Sequence, residues 1–302
     1  MPQSDPRRPG PVGVRLSATE SAGTDWGRVR AFWARAGELR AVDAVWMSDH
    51  LSDSTLERNG PALEALTTAA ALCHLVAGTW VGIAVLAATF RHPALVAKSA
   101  TVLDLATGGR FILGMGAGWH LGEHDAFGIE LPDPKPRFDR YESSVAAVAA
   151  LLSDEARTAP GVTRDDPRFP LRAATNEPAP HTPGGPPIWL GGTRPRGLAL
   201  IARYADGWPM PGNRPGDVDL FREKRDLIRR ALDAAGRDPD DFAYAAQLTV
   251  GASHMDRRSA LWTARRMRAA GATHVILGLP ASLAPDGLDD LVHQVAEPYL
   301  AA

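Results

Sequence analysis

Cysteine is almost absent from this chain. Cys73 is the only one in 302 residues, so no internal disulfide can staple the fold. Its place in an apolar helical pattern marks it as a buried, inert thiol. Long apolar runs are also missing. His74, Thr79 and Arg91 break up the longest candidate before it reaches the roughly 18 residues that a membrane helix needs. Residues 1–11 are polar and rich in proline, without the apolar stretch of a secretory signal, so a cytoplasmic location is expected. Excess charge of one sign is lacking too. Thirty-three basic residues face 35 acidic ones, for a net charge of −2, which argues against nucleic acid or an anionic membrane as partner. What remains is a small-molecule substrate and a chain whose 45% hydrophobic content supplies a real core.

The apolar residues alternate between two periods. Val12–Leu16 reads as a strand, and 24–40 as a helix with Trp26 and Trp33 on its packing face. Ala44–Met47 is a second strand, Pro61–Cys73 a helix and Trp80–Leu86 a third strand. In RHPALVAKSATVLDLATGGRFILGMGAGWH (91–120), Pro93 opens a helix, Gly108-Gly109 closes it, and Phe111 onward forms a buried strand running into glycines. A loop over Trp119–Arg137 precedes a helix at Phe138–Leu152. Residues 155–187 are polar and rich in proline and glycine, and read as a loop or a lid.

Beyond that segment, strands are expected at Pro187–Gly192, Ala205–Trp208, Phe242–Val250 and Thr273–Leu277. Helices are expected at Leu198–Tyr204, Val218–Ala235, Met255–Ala270 and Leu288–Val295. Eight strands, each followed by a helix, make an α/β chain whose count is that of a single (β/α)8 TIM barrel.

In such a barrel the chemistry gathers at the carboxyl ends of the strands. Those ends carry Ser48-Asp49-His50, the stretch from Ala84 to Thr89, Gly116-Ala117-Gly118-Trp119-His120, Gly191-Gly192-Thr193-Arg194 and Asp206-Gly207-Trp208. The glycine turns would let backbone N–H groups approach a phosphate or a planar cofactor, with Arg194 adding charge, or else simply make tight turns. His50 is the best general acid–base candidate because histidine titrates near neutrality. Asp49 beside it is a candidate orienting carboxylate, although neighbouring side chains on an extended strand point to opposite sides. Trp46, Trp119 and Trp208 are candidates to line a pocket wide enough for a conjugated ring.

Two short matches point elsewhere. His120-Leu-Gly-Glu-His124 fits a zinc-binding pattern, but Gly122 weakens the helix that the pattern needs and no third ligand is evident. Gly114-Met-Gly-Ala-Gly118 resembles a dinucleotide turn but lacks the helix that should follow. Neither a metal nor a Rossmann cofactor is expected.

Taken together, AVDAVWMSDHL (41–51), FRHPALVAKSATVLDLATGGRFILGMGAGWHLGEHDAFGI (90–129), RFDRYE (137–142) and PPIWLGGTRPRGLALIARYADGW (187–208) resemble the bacterial-luciferase-like oxidoreductases. The resemblance covers nearly the whole chain and is strongest to the branch that uses the deazaflavin coenzyme F420. It implies a (β/α)8 barrel with an insertion, a homodimer, and a flavin or deazaflavin at the carboxyl rim. Asp49 and His50 fall where the deazaflavin sugar-phosphate dehydrogenases have an aspartate beside the catalytic histidine, so His50 would assist proton movement. Ala84-Val85 matches a non-prolyl cis peptide that forms a bulge behind the ring, and Thr89 would lie near the ring or its side chain. Gly116, Ala117, Gly118, Gly191 and Gly192 would meet the ribityl phosphate, aided by Thr193 or Arg194.

Trp119 stands where those dehydrogenases have an acidic proton donor, so sugar-phosphate oxidation is not expected. His120, Glu123, Trp46 and Trp208 remain possible polar or aromatic lining. The resemblance thus implies F420-dependent hydride transfer to or from a small organic substrate. FMN-dependent monooxygenation is the alternative, and a non-catalytic binding barrel a third reading.

Overall fold

Side-chain alternation along short apolar runs decides what each strand buries, and the computed structural model shows it in every barrel strand. It describes residues 9–16, 25–53, 60–251, 253–280 and 283–302. Residues 1–8 and residue 24, the expected start of the first helix, lie outside these ranges.

Eight parallel strands form the barrel: β1 (Val12–Leu16), β2 (Ala44–Met47), β3 (Trp80–Ile83), β4 (Phe111–Gly116), β5 (Ile188–Leu190), β6 (Gly207–Pro209), β7 (Ala243–Thr249) and β8 (His274–Leu279). Each pairs with the next in the chain. β8 pairs with β1 (Val12 opposite Val275), which closes the ring.

Along β2, Val45 points outward to the helices, while Ala44 and Trp46 point into the barrel. The interior is filled by Trp46, Trp80, Trp189, Ile112 and Ile276 with small residues between them. Trp46 and Trp189 lie with ring centroids 4.9 Å apart. Side chains at Gly13 and Gly82 would collide with Trp46, and one at Gly207 with Trp189, so large and small residues interlock around the ring. Trp46 Nε1 donates to His274 Nε2 (2.9 Å), and His274 Nδ1 donates to the Gly10 carbonyl (2.6 Å). Burial lowers the His274 pKa to about 4, so the ring is neutral and both its nitrogens are paired.

The helices are α1 (Trp26–Glu38), α2 (Ala65–Leu72), α3 (Pro93–Thr107), α4 (Leu121–Ala126), α5 (Pro134–Leu152), α6 (Pro195–Tyr204), α7 (Val218–Ala234) and α8 (His254–Ala269). A final segment, 286–300, passes through a π turn. Local chemistry sets their ends. In α3, Pro93 occupies the first turn, the His92 ring accepts from the Ala94 N–H, and Gly108 adopts a left-handed φ of 62° at the C-cap. Cys73 is buried behind α2, which raises its thiol pKa. Among the described residues, no helix is long and apolar enough to cross a membrane.

Three expectations need correction. The expected strand Trp80–Leu86 ends at Ile83. The Ala84–Val85 peptide is cis, and the chain resumes pairing only at Leu86–Ala87, beside Met115 and Gly116. The expected loop 119–137 contains α4 and the first turn of α5. Pro134 and Pro136 are compatible with that turn because its N–H groups need no intrahelical partner.

Residues 155–187 hold an antiparallel hairpin, Val162–Arg164 with Leu171–Ala174, and their side-chain contacts run along the flank of the barrel. Phe169 packs against His92, Asn176 Nδ2 donates to Thr101 Oγ1 (3.0 Å), and the Thr182 N–H donates to Asp104 (2.7 Å). Proline and glycine density hid this structure because its partners lie far away in sequence, on α3.

Candidate active site

The cis bulge after β3 explains much of the glycine density around it. A side chain at Gly114 would strike the Ile83 carbonyl, and one at Gly116 would come within 2.7 Å of Val85 Cγ2. These glycines let β3 and its bulge sit against β4. Gly191 differs, because a Cβ there would meet nothing closer than 3.7 Å. A side chain there would make only ordinary contacts, so packing against the bulge does not require this glycine.

Tyr141, from the RFDRYE stretch, fastens the two turns. Its buried hydroxyl lies 2.8 Å from the Met115 carbonyl and 3.1 Å from that of Gly191. Burial raises its pKa, which keeps it a donor. Ala117 packs half-buried against the core.

At Gly118 the backbone has φ +81°, and a side chain would come 2.7 Å from Thr89 Oγ1. That hydroxyl is paired with His124 Nε2 (2.8 Å), whose Nδ1 pairs with the His120 carbonyl (2.8 Å). The carbonyl can only accept, so His124 carries its proton on Nδ1 and Nε2 accepts from Thr89. Thr89 is therefore committed to anchoring α4.

Asp49 and His50 part company. Asp49 is buried and takes two bonds from the Arg91 guanidinium (2.7 Å each), with a third from the Ala87 N–H (2.9 Å). Arg91 also pairs with Glu64, the N-cap of α2. Asp49 thus ties the end of β2 to the bulge and does not orient His50. Consecutive side chains on extended backbone diverge, and the neighbouring histidine points away.

His50 is held instead by Glu123, with Nδ1 3.1 Å from Oε2. The other carboxylate oxygen accepts from the Leu51 and Ser52 N–H groups, the latter at 3.0 Å. Burial pushes the Glu123 carboxyl pKa up, but the His50 bond and the two N–H donors outweigh it and hold the pKa below its ordinary value. Glu123 is thus a buried anion gripping an imidazole whose Nε2 it leaves free. In the sequence alone Glu123 stands out only as a polar group near the rim. The signal was there in His120-x-x-Glu123, because His120 caps α4 by accepting from the Glu123 N–H (2.9 Å), which turns the glutamate inward.

The tryptophans divide three ways. Trp119 is 64% exposed and meets His50 edge-on, ring centroids 6.0 Å apart, so it stands beside the imidazole. Trp46 does not line a pocket, because strand alternation packs it into the barrel interior. Trp208 is also fully buried, but points outward onto Phe221 of α7, and its Nε1 donates to the Gly192 carbonyl (3.1 Å). Its neighbours Gly207 and Pro209 hold the inward positions of β6.

Beyond Gly192, Thr193 and Arg194 lead into α6, whose N-terminus receives no side-chain cap. The three side chains of the zinc-like pattern have separate duties. His120 caps α4, Glu123 holds His50 and His124 pairs with Thr89, and no metal-ligand cluster occurs among the described residues.

The sequence profile of the luciferase-like monooxygenases matches residues 12–289, and the chain belongs to that family. It is 33% identical over 223 residues to a phthiodiolone/phenolphthiodiolone dimycocerosates ketoreductase of Mycobacterium kansasii, covering 68% of this chain and 58% of the relative. It is also 29% identical over 228 residues to an F420-dependent glucose-6-phosphate dehydrogenase of Kineococcus radiotolerans, covering 75% of this chain and 63% of the relative. The chain thus spans about three fifths of the length of these relatives. In fold it is similar to an F420-dependent secondary alcohol dehydrogenase solved with an F420–acetone adduct. The TM-score is 0.74 at 18% identity, covering 95% of this chain and 99% of the other.

Proposed function

We propose that this protein is an F420-dependent oxidoreductase that interconverts a small carbonyl compound and the corresponding alcohol. The observation that carries the reading is the His50–Glu123 pair, a proton-handling imidazole on a buried carboxylate at the same barrel end as the cis bulge. The ketoreductase and dehydrogenase relatives support the reaction class.

The residues fit such a cofactor. Gly191, where packing does not require a glycine, lets a flat, tailed group come close to the backbone. The uncapped α6 N-terminus, with Thr193 and Arg194, presents N–H, hydroxyl and guanidinium donors suited to its phosphate. Gly116 and Gly118 shape the wall, and Ala84–Val85 forms the bulge behind it. When bound, the deazaflavin supplies a two-electron hydride acceptor or donor.

The chain's own part is proton transfer and positioning. In the reducing direction, His50 gives a proton to the substrate oxygen as its carbon gains hydride; in the oxidising direction, it takes the hydroxyl proton. Glu123 stabilises the imidazolium form between these events. Trp119 shields the imidazole on one side.

Titration of the purified protein with oxidised F420, and separately with FMN, tests the assignment. Saturable quenching of F420 fluorescence at micromolar concentration is the expected result. Binding of FMN alone would move the chain to flavin-dependent monooxygenation, and binding of neither would favour a barrel without turnover.

A further inference from the structure

β1 places Val12 and Val14 against the helices and turns Gly13 and Arg15 into the barrel. Gly13 faces the Trp46–His274 pair, so Arg15, one inward step nearer the carboxyl end, lies above that aromatic layer. Its backbone neighbours are Trp46 on β2 and Gly278 on β8. Arg15 Nη1 donates to Gln247 Oε1 (2.8 Å), and Gln247 Nε2 donates in turn to the Met210 carbonyl (2.5 Å). Gln247 is neutral and is itself held by the backbone, so it orients the guanidinium without balancing its charge.

Among the described residues, the rest of the guanidinium has no such partner. Nε is buried without a hydrogen bond, and no carboxylate among the described residues pairs with Arg15. Arg91, by contrast, sits between Asp49 and Glu64. Burial lowers the Arg15 pKa to about 10, which still leaves it a cation at neutral pH. A desolvated cation without a counter-charge is costly, and replacing it with an apolar side chain would be expected to stabilise the fold. Its planar fork suits an oxyanion that approaches from the open side. Geometry separates that anion from the cofactor phosphate. The donors suited to it follow β5, and β1 and β5 lie four strands apart, on opposite sides of an eight-stranded ring.

We propose that Arg15 is an anion-binding residue at the floor of the barrel mouth, and that the substrate carries a carboxylate or phosphate that it meets there. Gln247 is the positioning residue. The inference rests on the reading that this mouth is where substrate reacts, and it adds the chemical class of that substrate.

The test uses the full chain and two probes, oxalate and inorganic phosphate, each titrated against sodium chloride at matched ionic strength. Tryptophan fluorescence follows binding, because Trp46 and Trp189 lie beneath Arg15, and Tm is read in parallel. Wild-type protein should respond saturably to at least one probe. Arg15→Met should weaken that response by about tenfold or more, and should raise Tm in the absence of anion. Arg15→Lys keeps the charge but loses the fork, and should weaken binding about threefold or more, which decides the matter if the methionine variant does not fold. F420 affinity of the Arg15→Met protein should stay within about twofold of wild type.

A wild-type protein indifferent to both probes, or variants that bind as well as wild type, would overturn the proposal. So would a loss of F420 affinity matching the loss of oxyanion binding, since the anion would then belong to the cofactor. Because anion binding is read without F420, failure of the cofactor assignment shows separately.

Discussion

The interior of this barrel has two storeys that obey different rules. In the lower one, Trp46, Trp189 and His274 are buried, interlocked with glycines, and His274 has both ring nitrogens paired. In the upper one, Arg15 keeps an unpaired Nε and His50 offers a nitrogen that Glu123 does not use. The paired indole and imidazole below give stability, and the polar groups left open above give chemistry. Polar groups left without protein partners are where a ligand can add free energy.

Substitutions in the two storeys should therefore fail in different ways. The largest effect is expected below. Trp46→Ala removes an interior indole and strands His274 Nε2, and should cost about 3–5 kcal/mol in urea unfolding. A loss under about 1 kcal/mol would mean that the layer is not a packed support.

In the upper storey, His50→Ala should cut turnover by roughly a hundredfold or more while leaving F420 affinity and Tm near wild type. Glu123→Gln should lower turnover less, and by a similar route. Equal losses of turnover and cofactor affinity in His50→Ala would assign His50 to binding instead. Asp49→Asn makes the sharper contrast, since it should lower Tm by loosening the Arg91 anchor.

The smallest effect is in pH dependence. The His274 pKa is depressed to about 4 in the folded protein, so below about 6.5 the unfolded chain takes up a proton that the folded chain refuses. Stability should be full above that value and decline as pH falls towards about 4. Glu123, with its folded pKa also lowered, adds its share above the ordinary carboxylate value and loses it at lower pH still. Urea midpoints measured between pH 7 and pH 5 check the first part. An unchanged midpoint would mean that His274 is not held neutral.

Much of the fold was legible because it rests on local rules. Short apolar runs located the barrel strands, although the sixth starts at Gly207 and not at Ala205, and Pro93 with Gly108 bracketed α3. The order inside 155–187 was not legible, since Asn176 and Thr182 beyond its hairpin are tied to Thr101 and Asp104 on a distant helix. At the site, His50 could be named from its chemistry and its place after β2. Its carboxylate could not, because adjacency in sequence suggested Asp49 while the closing of the barrel brought up Glu123 from beyond β4. Trp46 and Trp208 show the same limit. Both sit on strands at the carboxyl end, yet one packs inside the barrel and the other against α7.

Residue order alone determined the eight alternating units, the capped helices and the clustering of glycines after β4 and β5. These follow from dihedral preferences and periodicity, which act over a few residues. Only the tertiary structure decided that Asp49 is an anchor, that Glu123 grips His50 and that Arg15 has no counter-ion among the described residues. Each of those facts depends on which distant group arrives within hydrogen-bonding distance, and on how much water the closed barrel leaves around it.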